Sequence, residues 1–326
     1  MSSEPSATPR VSAAVLNFNG RELLEVVLPS LAAQQFGDVE LIVVDDCSSD
    51  DSVEYLKREW PQVRVVPTGE SNVGVAAALN VAVRASRGEF VALLNNDIEL
   101  DPRWLGELVG ALDRYPEAAT AAGKLLRFDR RDLIDSTGDV FLRSATAFGR
   151  GAGERDTGQY EQEEEVFAPT GGAAVYRASA LAAVGPFDES FYAYFEDVDW
   201  GLRAQLAGHR SRYVPGAVGY HMGSQTTKPK VNVRFFELQH RNTVGVVVKG
   251  VPVPFIARNA HHILAYHLLS FAYSARVGLL IPHLRGLARV APRLPEWLSE
   301  RRRILGARPV SRREFERFVS DRRGAR

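Results

Sequence analysis

The stretch VALLNNDIEL, residues 91–100, runs from an apolar block straight into Asn95, Asn96 and Asp97. A carboxylate at the end of an interior strand is costly to dehydrate, so something beside it must compensate. A divalent cation is the first candidate, because Asp oxygens are hard ligands. One Asp is not a metal site. Other apolar runs also end in polar groups: VSAAVLN closes on Asn17, and VELIVVDD closes on Asp45 and Asp46. Farther along, Glu196, Asp197 and Asp199 crowd the start of EDVDWGLRAQLAG. At a helix N-terminus the dipole and free backbone donors keep a carboxylate ionised, ready to accept a proton.

These groups need elements that bring them together. VSAAVLN, VELIVVD, VRVVPT and EFVALLN read as strands, and RELLEVVLPSLAAQQ, DDSVEYLKREW and SNVGVAAALNVAVRASRG read as the helices between them. The start of the second helix has Ser49 or Asp50 as its cap, and Gly88 follows the third. Continuous apolar strands alternating with helices predict an α/β fold with a mainly parallel sheet covered on both faces. Ligands of such sheets bind beyond the strand C-termini, which is where Asn17, Asp45, Asp46 and Asp97 fall. After the helix in DPRWLGELVGALDRYPEA the regularity weakens, and GRGAGERDTGQYEQEEE reads as a polar surface loop. Order returns with GGAAVYR as a strand, then ASALAAVG and EDVDWGLRAQLAG as helices. A dinucleotide-binding dehydrogenase is excluded by its missing turn, since LNFNGRELL supplies only Gly20, and no GxxxxGK[ST] loop is present.

Taken together, residues 11–245 resemble the inverting nucleotide-sugar transferases of glycosyltransferase family 2, in their rhamnosyltransferase-like branch. VLNFNG is similar to the family's opening strand and loop, and VVDDCSSDDS to its second strand, whose acidic end meets base and ribose. NVGVAAALN is similar to the family's Asn-x-Gly-then-Asn helix, here Asn72, Gly74 and Asn80. LLNNDIEL stands where the family carries its metal-binding D-x-D, so Asp97 inherits the last Asp while Asn95 replaces the first. PTGGAAVYR resembles the acceptor-side strand, with Gly171 and Gly172. YFEDVDWGLRAQLAG resembles the Glu-Asp segment, which places the catalytic base at Asp197, and YHMGSQT resembles a late segment in which His221 joins metal and diphosphate. The resemblance implies a single GT-A-type nucleotide-binding domain. It also implies nucleotide contacts from Asn17, Asp45, Asp46, Asn72, Gly74, Asn80 and Asn96, a metal held by Asp97 and His221, and an acceptor side built from Gly171, Gly172, Glu196 and Trp200.

The chemistry asks for the same residue types. Moving a sugar from a nucleoside diphosphate uses Mg²⁺ or Mn²⁺ to neutralise the departing diphosphate, and a base across the anomeric carbon to take the acceptor's hydroxyl proton. Plainer roles compete at several positions: Asp45 and Asp46 could cap the next helix, Asn72 and Asn80 could satisfy backbone, and Trp200 could pack its helix or stack on a sugar. His221 alone specifies a metal weakly, and Cys47 has no nearby His in sequence to activate it. Two other functions remain open on this reading. A sugar nucleotidyltransferase would also use acidic strand ends with Mg²⁺, and a carbohydrate-binding or scaffold protein could keep the fold without turnover, because Asn95 lacks a carboxylate.

Composition divides the chain. Residues 251–326 hold 15 Arg against 5 acidic groups, so the first 250 residues carry the other 25 basic and 35 acidic groups, balances of +10 and −10 within a net charge of zero. The expected organisation is a disordered 1–10, a transferase domain over 11–250 and a basic amphipathic helical region over 251–326. The single Cys excludes an internal disulfide, and MSSEPSATPR lacks a signal-peptide pattern, so a cytoplasmic protein is expected. In the tail His267, Arg276 and Pro282 interrupt the apolar runs, which favours a surface-lying or dimer-forming helix over a transmembrane one. The expected partners are a nucleotide-sugar donor, a glycan or lipid-linked acceptor, an anionic membrane face or a second subunit at the tail, and no nucleic acid.

Overall fold

The computed structural model describes residues 8–223, 233–307 and 311–320. Its regular structure opens with β1 (Val11–Asn17), α1 (Arg21–Ala32), β2 (Val39–Asp45), α2 (Ser52–Glu59), β3 (Arg64–Pro67), α3 (Val75–Ala85) and β4 (Phe90–Asn95). All seven residues of β1 are buried because both sheet faces are covered. Val11, Ala13 and Val15 pack with Leu24 and Leu28 of α1 on one face, while Ala14 and Leu16 pack with Ala78 and Leu79 of α3 on the other. β1 pairs in parallel with both β2 and β4, and the register sets Asn17 opposite Asp45 and Leu16 opposite Asn95. Three polar strand ends therefore share one rim.

The second half is not parallel throughout. β5 (Ile98–Leu100), α4 (Trp104–Arg114), β6 (Ala118–Arg127), β7 (Ile134–Ser136), β8 (Asp139–Leu142), β9 (Ala147–Gly149), β10 (Glu164–Val166), β11 (Ala173–Arg177), α5 (Ala178–Val184), α6 (Glu196–Leu206) and β12 (Arg210–His221) follow. The sheet order is β10-β12-β6-β11-β4-β1-β2-β3, with β5 added to β12 and β7 to β6. β11 runs antiparallel between β4 and β6, which brings the Gly171–Gly172 turn against the end of β4, where Asn95 N–H donates to the Gly172 carbonyl at 2.8 Å. The polar stretch after β9 is the expected surface loop, most of it exposed, and it is tied down by charge. Lys124 reaches Asp156 at 2.9 Å and Glu161 at 2.5 Å, Arg150 reaches Glu164 at 2.5 Å, and Tyr160 is buried.

The C-terminal region consists of α7 (Val233–Gly250), α8 (Val253–Arg258), α9 (Ala260–Arg276), α10 (Leu280–Ala288), α11 (Leu294–Ala307), α12 (Arg312–Glu316) and β13 (Val319–Ser320), which pairs with β8. The apolar tract breaks at Gly278, whose φ of +76° suits glycine, and not at Pro282, which lies in the first turn of α10 where its missing N–H is tolerated. Trp297 is fully buried, and its indole N–H donates to Ser190 Oγ at 3.1 Å. Lys249 of α7 is buried between Asp188 and Asp199, the latter 2.8 Å away, and Asp199 also holds Arg203 at 2.9 Å. Asp199 is thus committed to a buried ion network that fastens α7 to α6. Among the described residues no helix is long and apolar enough to cross a membrane.

The α7–α9–α10 contact contains His240, His267 and His283. His283 is buried with Nδ1 2.9 Å from Ser274 Oγ and its ring centroid 3.8 Å from that of His240. Burial first, then the neighbouring His240 and His267, pushes its pKa down to about 4. The unfolded chain, with an ordinary histidine value near ~6.5, binds that proton first, so this stability is complete above ~6.5 and drains as pH falls toward ~4. Urea denaturation is expected to show roughly 2 kcal/mol less stability at pH ~5 than at pH ~7 from this group, and His283→Gln should flatten the dependence. An unchanged pH slope in the variant would contradict the assignment.

Candidate active site

A cleft of about 520 Å³ opens over the strand rim, lined by Asn17, Asp46, Asn72, Gly74, Asn96 and Asp97 and by Gly171, Gly172, Glu196, Asp197 and His221. Asn17 donates to Asp45 Oδ1 at 3.1 Å and accepts from Asn96 Nδ2 at 2.9 Å, so neighbouring strand ends brace one another. Asp45 sits behind the cleft and also accepts Ser48 N–H at 3.0 Å, a supporting position in place of the expected nucleotide contact. Both oxygens of Asp46 are occupied: Thr68 Oγ1 donates at 2.7 Å, Val73 N–H at 2.9 Å and Gly74 N–H at 3.0 Å. Asp46 therefore shapes the loop that carries Asn72 and Gly74 to the cleft. Gly74, at φ +88°, lies so close to Tyr192 that a Cβ would meet its ring at 2.6 Å.

Two assignments are corrected. Asn80 faces away from the cleft, exchanging hydrogen bonds with the Phe187 backbone and donating to Glu189, all at 2.9 Å. Trp200 is fully buried between Tyr176 and Phe187, with its indole N–H on the Gly185 carbonyl at 3.1 Å, so it packs α6 and meets no acceptor.

The carboxylates around α6 divide their protonation states by environment. Asp197 is partly open to the cleft, and its Oδ2 accepts Gly171 N–H at 2.9 Å while Oδ1 accepts Val198 N–H at 2.8 Å. Burial raises its pKa, opposed by those backbone donors. Glu196 has no such donors on its Oε2, which is buried without a partner, and burial followed by repulsion from Asp197 pushes it to about 8. Asp139, buried at the start of β8 and also on the cleft wall, is held well above the carboxylate range for the same two reasons. The backbone donors Gly171 and Val198 favour the ionised form at Asp197, whereas burial and the Asp197 charge disfavour it at Glu196 and Asp139. Gly171 is required here, since a Cβ would meet Asp197 Oδ2 at 2.5 Å.

The segment before α6 is held in unusual backbone conformations. Tyr192, Tyr194 and Phe195 have φ of +65°, +69° and +70°. Such strain persists only where surroundings enforce it. Asn242 of α7 donates to the carbonyls of Phe191, Ala193 and Tyr194 at 3.1, 3.0 and 2.7 Å, and Arg241 donates to those of Ser190 and Phe191 at 2.8 and 2.7 Å. Asn242 therefore aims the start of α6 at the cleft, a role with no mark in the local sequence.

Asp97 is buried beside His221, with 3.2 Å between Oδ2 and Nε2, and its Oδ1 has no partner. His221 Nδ1 lies 2.9 Å from Asp135 Oδ2. Burial disfavours the imidazolium, but the hydrogen bonds to Asp135 and Asp97 prevail and lift its pKa to about 10. Asp97 and Asp135 approach opposite ring nitrogens, so they do not converge on one point, and no group of three or more His, Cys, Asp or Glu side chains among the described residues could hold a metal ion. Asp97 Oδ1, which has no partner, and His221 Nε2, once a cation displaces its proton, would make a two-donor set. That fits Mg²⁺ or Mn²⁺ only when phosphate oxygens and water complete the coordination. Residues 224–226 of YHMGSQT lie outside the described residues.

A second cavity of about 520 Å³ lies beyond Asp139, among Arg150, Glu164, Glu165 and Arg210. Its charged groups engage one another, Arg150 with Glu164 at 2.5 Å and Arg210 with Glu165 at 3.8 Å, leaving no convergent reactive group.

The model of the family described as "Glycosyl transferase family 2" matches residues 12–185, more than half of the chain. The chain belongs to glycosyl transferase family 2. The match takes in Asn17, Asp46, Asn72, Gly74, Asn96, Asp97 and Gly171–Gly172 but ends before Asp197. An N-acetylglucosaminyl-diphospho-decaprenol L-rhamnosyltransferase of Mycobacterium tuberculosis (strain CDC 1551 / Oshkosh) is 30% identical over 234 residues, 63% of this chain and 73% of that one. The fold is similar to that of the mannosyltransferase PcManGT from Pyrobaculum calidifontis, solved with GDP-Man and Mn²⁺, at a TM-score of 0.56 and 18% identity over 93% of this chain and 87% of that one. GalNAc-T7, solved with UDP, GalNAc and Mn²⁺, matches at a TM-score of 0.59 and 16% identity, over 75% of this chain and 48% of its own. This family member therefore spans about half of GalNAc-T7.

Proposed function

We propose that the chain is an inverting glycosyltransferase that moves a sugar from a nucleotide donor, dTDP-L-rhamnose ahead of a UDP-hexose, to a hydroxyl of a glycan or lipid-linked acceptor. The observation that carries the reading is the pairing, in one cleft, of Asp197, whose carboxylate accepts the Gly171 and Val198 N–H groups, with Asp97, whose buried Oδ1 lacks a partner. The family and the name of the Mycobacterium tuberculosis relative support the sugar and a lipid-diphosphate acceptor.

In this mechanism Asp197 takes the proton from the acceptor hydroxyl, whose oxygen bonds to the anomeric carbon as the bond to the diphosphate oxygen breaks. The nucleoside diphosphate leaves with that electron pair, and attack from the opposite side inverts the anomeric centre. Glu196, keeping its proton, is a hydrogen-bond donor toward the bound sugars. Asp97 and His221 would hold Mg²⁺ or Mn²⁺, which supplies charge neutralisation for the diphosphate. Asp135 fixes the His221 ring and so orients Nε2.

A donor panel followed by nucleotide release tests this. Release from dTDP-L-rhamnose above the no-protein rate, abolished by chelation and restored by Mn²⁺, is the expected result. Pyrophosphate release from a nucleoside triphosphate and a sugar phosphate, with nucleotide sugars left intact, would assign a nucleotidyltransferase instead. No turnover across a broad donor and acceptor panel would leave a binding protein.

A further inference from the structure

We infer that α9 and α10 form a seat for an anionic lipid bilayer. α9 has one buried residue, Ser274, although its other positions are largely apolar. Leu264, Leu268, Leu269 and Tyr273 are 59%, 60%, 72% and 58% exposed, and Ile281 and Leu284 on α10 extend the patch at 63% and 47%. The i, i+4, i+5 spacing places Leu264, Leu268 and Leu269 on one side of a helix roughly 25 Å long. A ridge of this size is more than scattered surface hydrophobicity.

Charge identifies the occupant. Residues 238–295 contain no Asp or Glu, but they contain six Arg and one Lys. Arg258, which closes α8 just before α9, and Arg276 at the end of α9 are exposed, and Arg285 is exposed on α10. The buried Glu237 pairs with Arg289 and lies 3.9 Å from Arg285, so it offsets part of this charge. An apolar ridge bordered by an excess of guanidinium groups complements lipid tails below and phosphate headgroups above. No described helix suits a membrane span, so the seat lies in the interface. The helix that carries the ridge also touches the cleft: Tyr266 of α9 meets Phe148, a cleft-lining residue, with ring centroids 6.4 Å apart. On the lipid-linked-acceptor reading, the mouth would face the layer that holds the acceptor. The seat itself does not depend on that reading.

The test is sedimentation of the full chain with phosphatidylcholine vesicles and with vesicles also containing phosphatidylglycerol. Binding to the anionic vesicles only is expected, weakened by salt with a resistant remainder, and lowered at least about tenfold by Leu268→Glu with Leu269→Glu. Arg276→Glu with Arg285→Glu should remove mainly the salt-sensitive part. Circular dichroism establishes that the variants are folded, and nucleotide release from soluble donor should match the parent, which separates this inference from the transfer reading. Wild-type protein left in solution with anionic vesicles would overturn the seat. So would a dimer that the leucine variants dissociate without any vesicle binding, which would make the ridge a contact with a second copy.

Discussion

Asp197→Asn is expected to lower transfer roughly 10² to 10⁴-fold, the usual scale for a lost general base, with donor binding and its metal dependence retained. The substitution keeps the side chain's shape and leaves an oxygen that accepts from one of the backbone donors, Gly171 or Val198. It removes the carboxylate that the two backbone donors favour in its ionised form. Burial and the Asp197 charge push Glu196 up to about 8 and hold Asp139 well above the carboxylate range, which makes both poor substitutes for the base. Because burial raises the Asp197 pKa, and its ionised form is the active one, the parent's rate should rise with pH along a limb above the ordinary ~4 of an aspartate. Steady-state rates with a confirmed acceptor check both points. Near-parental turnover by the variant, or an acid limb at the ordinary value, would remove Asp197 from the base role.

Asp97→Asn is expected to weaken metal-dependent nucleotide binding by roughly tenfold or more, because a neutral amide is a much poorer ligand for a hard cation. The amide retains the side chain's volume and a polar contact to His221, and the Asp97 carbonyl still accepts Met222 N–H at 2.8 Å, so the local fold is preserved. Calorimetric titration of the nucleotide with Mn²⁺ and with chelator isolates the metal-dependent part. An unchanged difference between those conditions would contradict the assignment, whatever the activity of the variant. With Asn95 in place of a first carboxylate and no third protein ligand at hand among the described residues, the loss should be larger here than in a site where ligands are redundant.

The polar strand rim was the legible part of the site. Apolar strands that alternate with helices in sequence pair in parallel, and parallel pairing sets the polar ends of β1, β2 and β4 level with one another. The sequence pattern does not reveal which way a helix residue faces once both sides of the helix are covered. Asn80 and Trp200 consequently read as ligand contacts, although their partners, the Phe187 backbone and the Tyr176 and Phe187 rings, lie in segments remote from them or on another element. Asp135 and Asp139 passed unnoticed because β7 and β8 span only three and four residues, too short for any periodicity. Asn242 was hidden for a different reason. Its effect is exerted on a loop 48 to 51 residues earlier in the chain, through hydrogen bonds that exist only after α7 has docked. The buried Lys249 network that helps hold α7 in place is equally non-local.

The central claim is a single displacement, with Asp197 drawing the proton from the acceptor as the diphosphate departs. The most direct measurement is the anomeric configuration of the freshly formed product by proton NMR, followed from the donor identified by nucleotide release. One displacement predicts a product opposite in configuration to the donor, with no sugar left on the protein. A product of the donor's own configuration, or a glycosyl adduct trapped on a carboxylate of the cleft, would contradict the account.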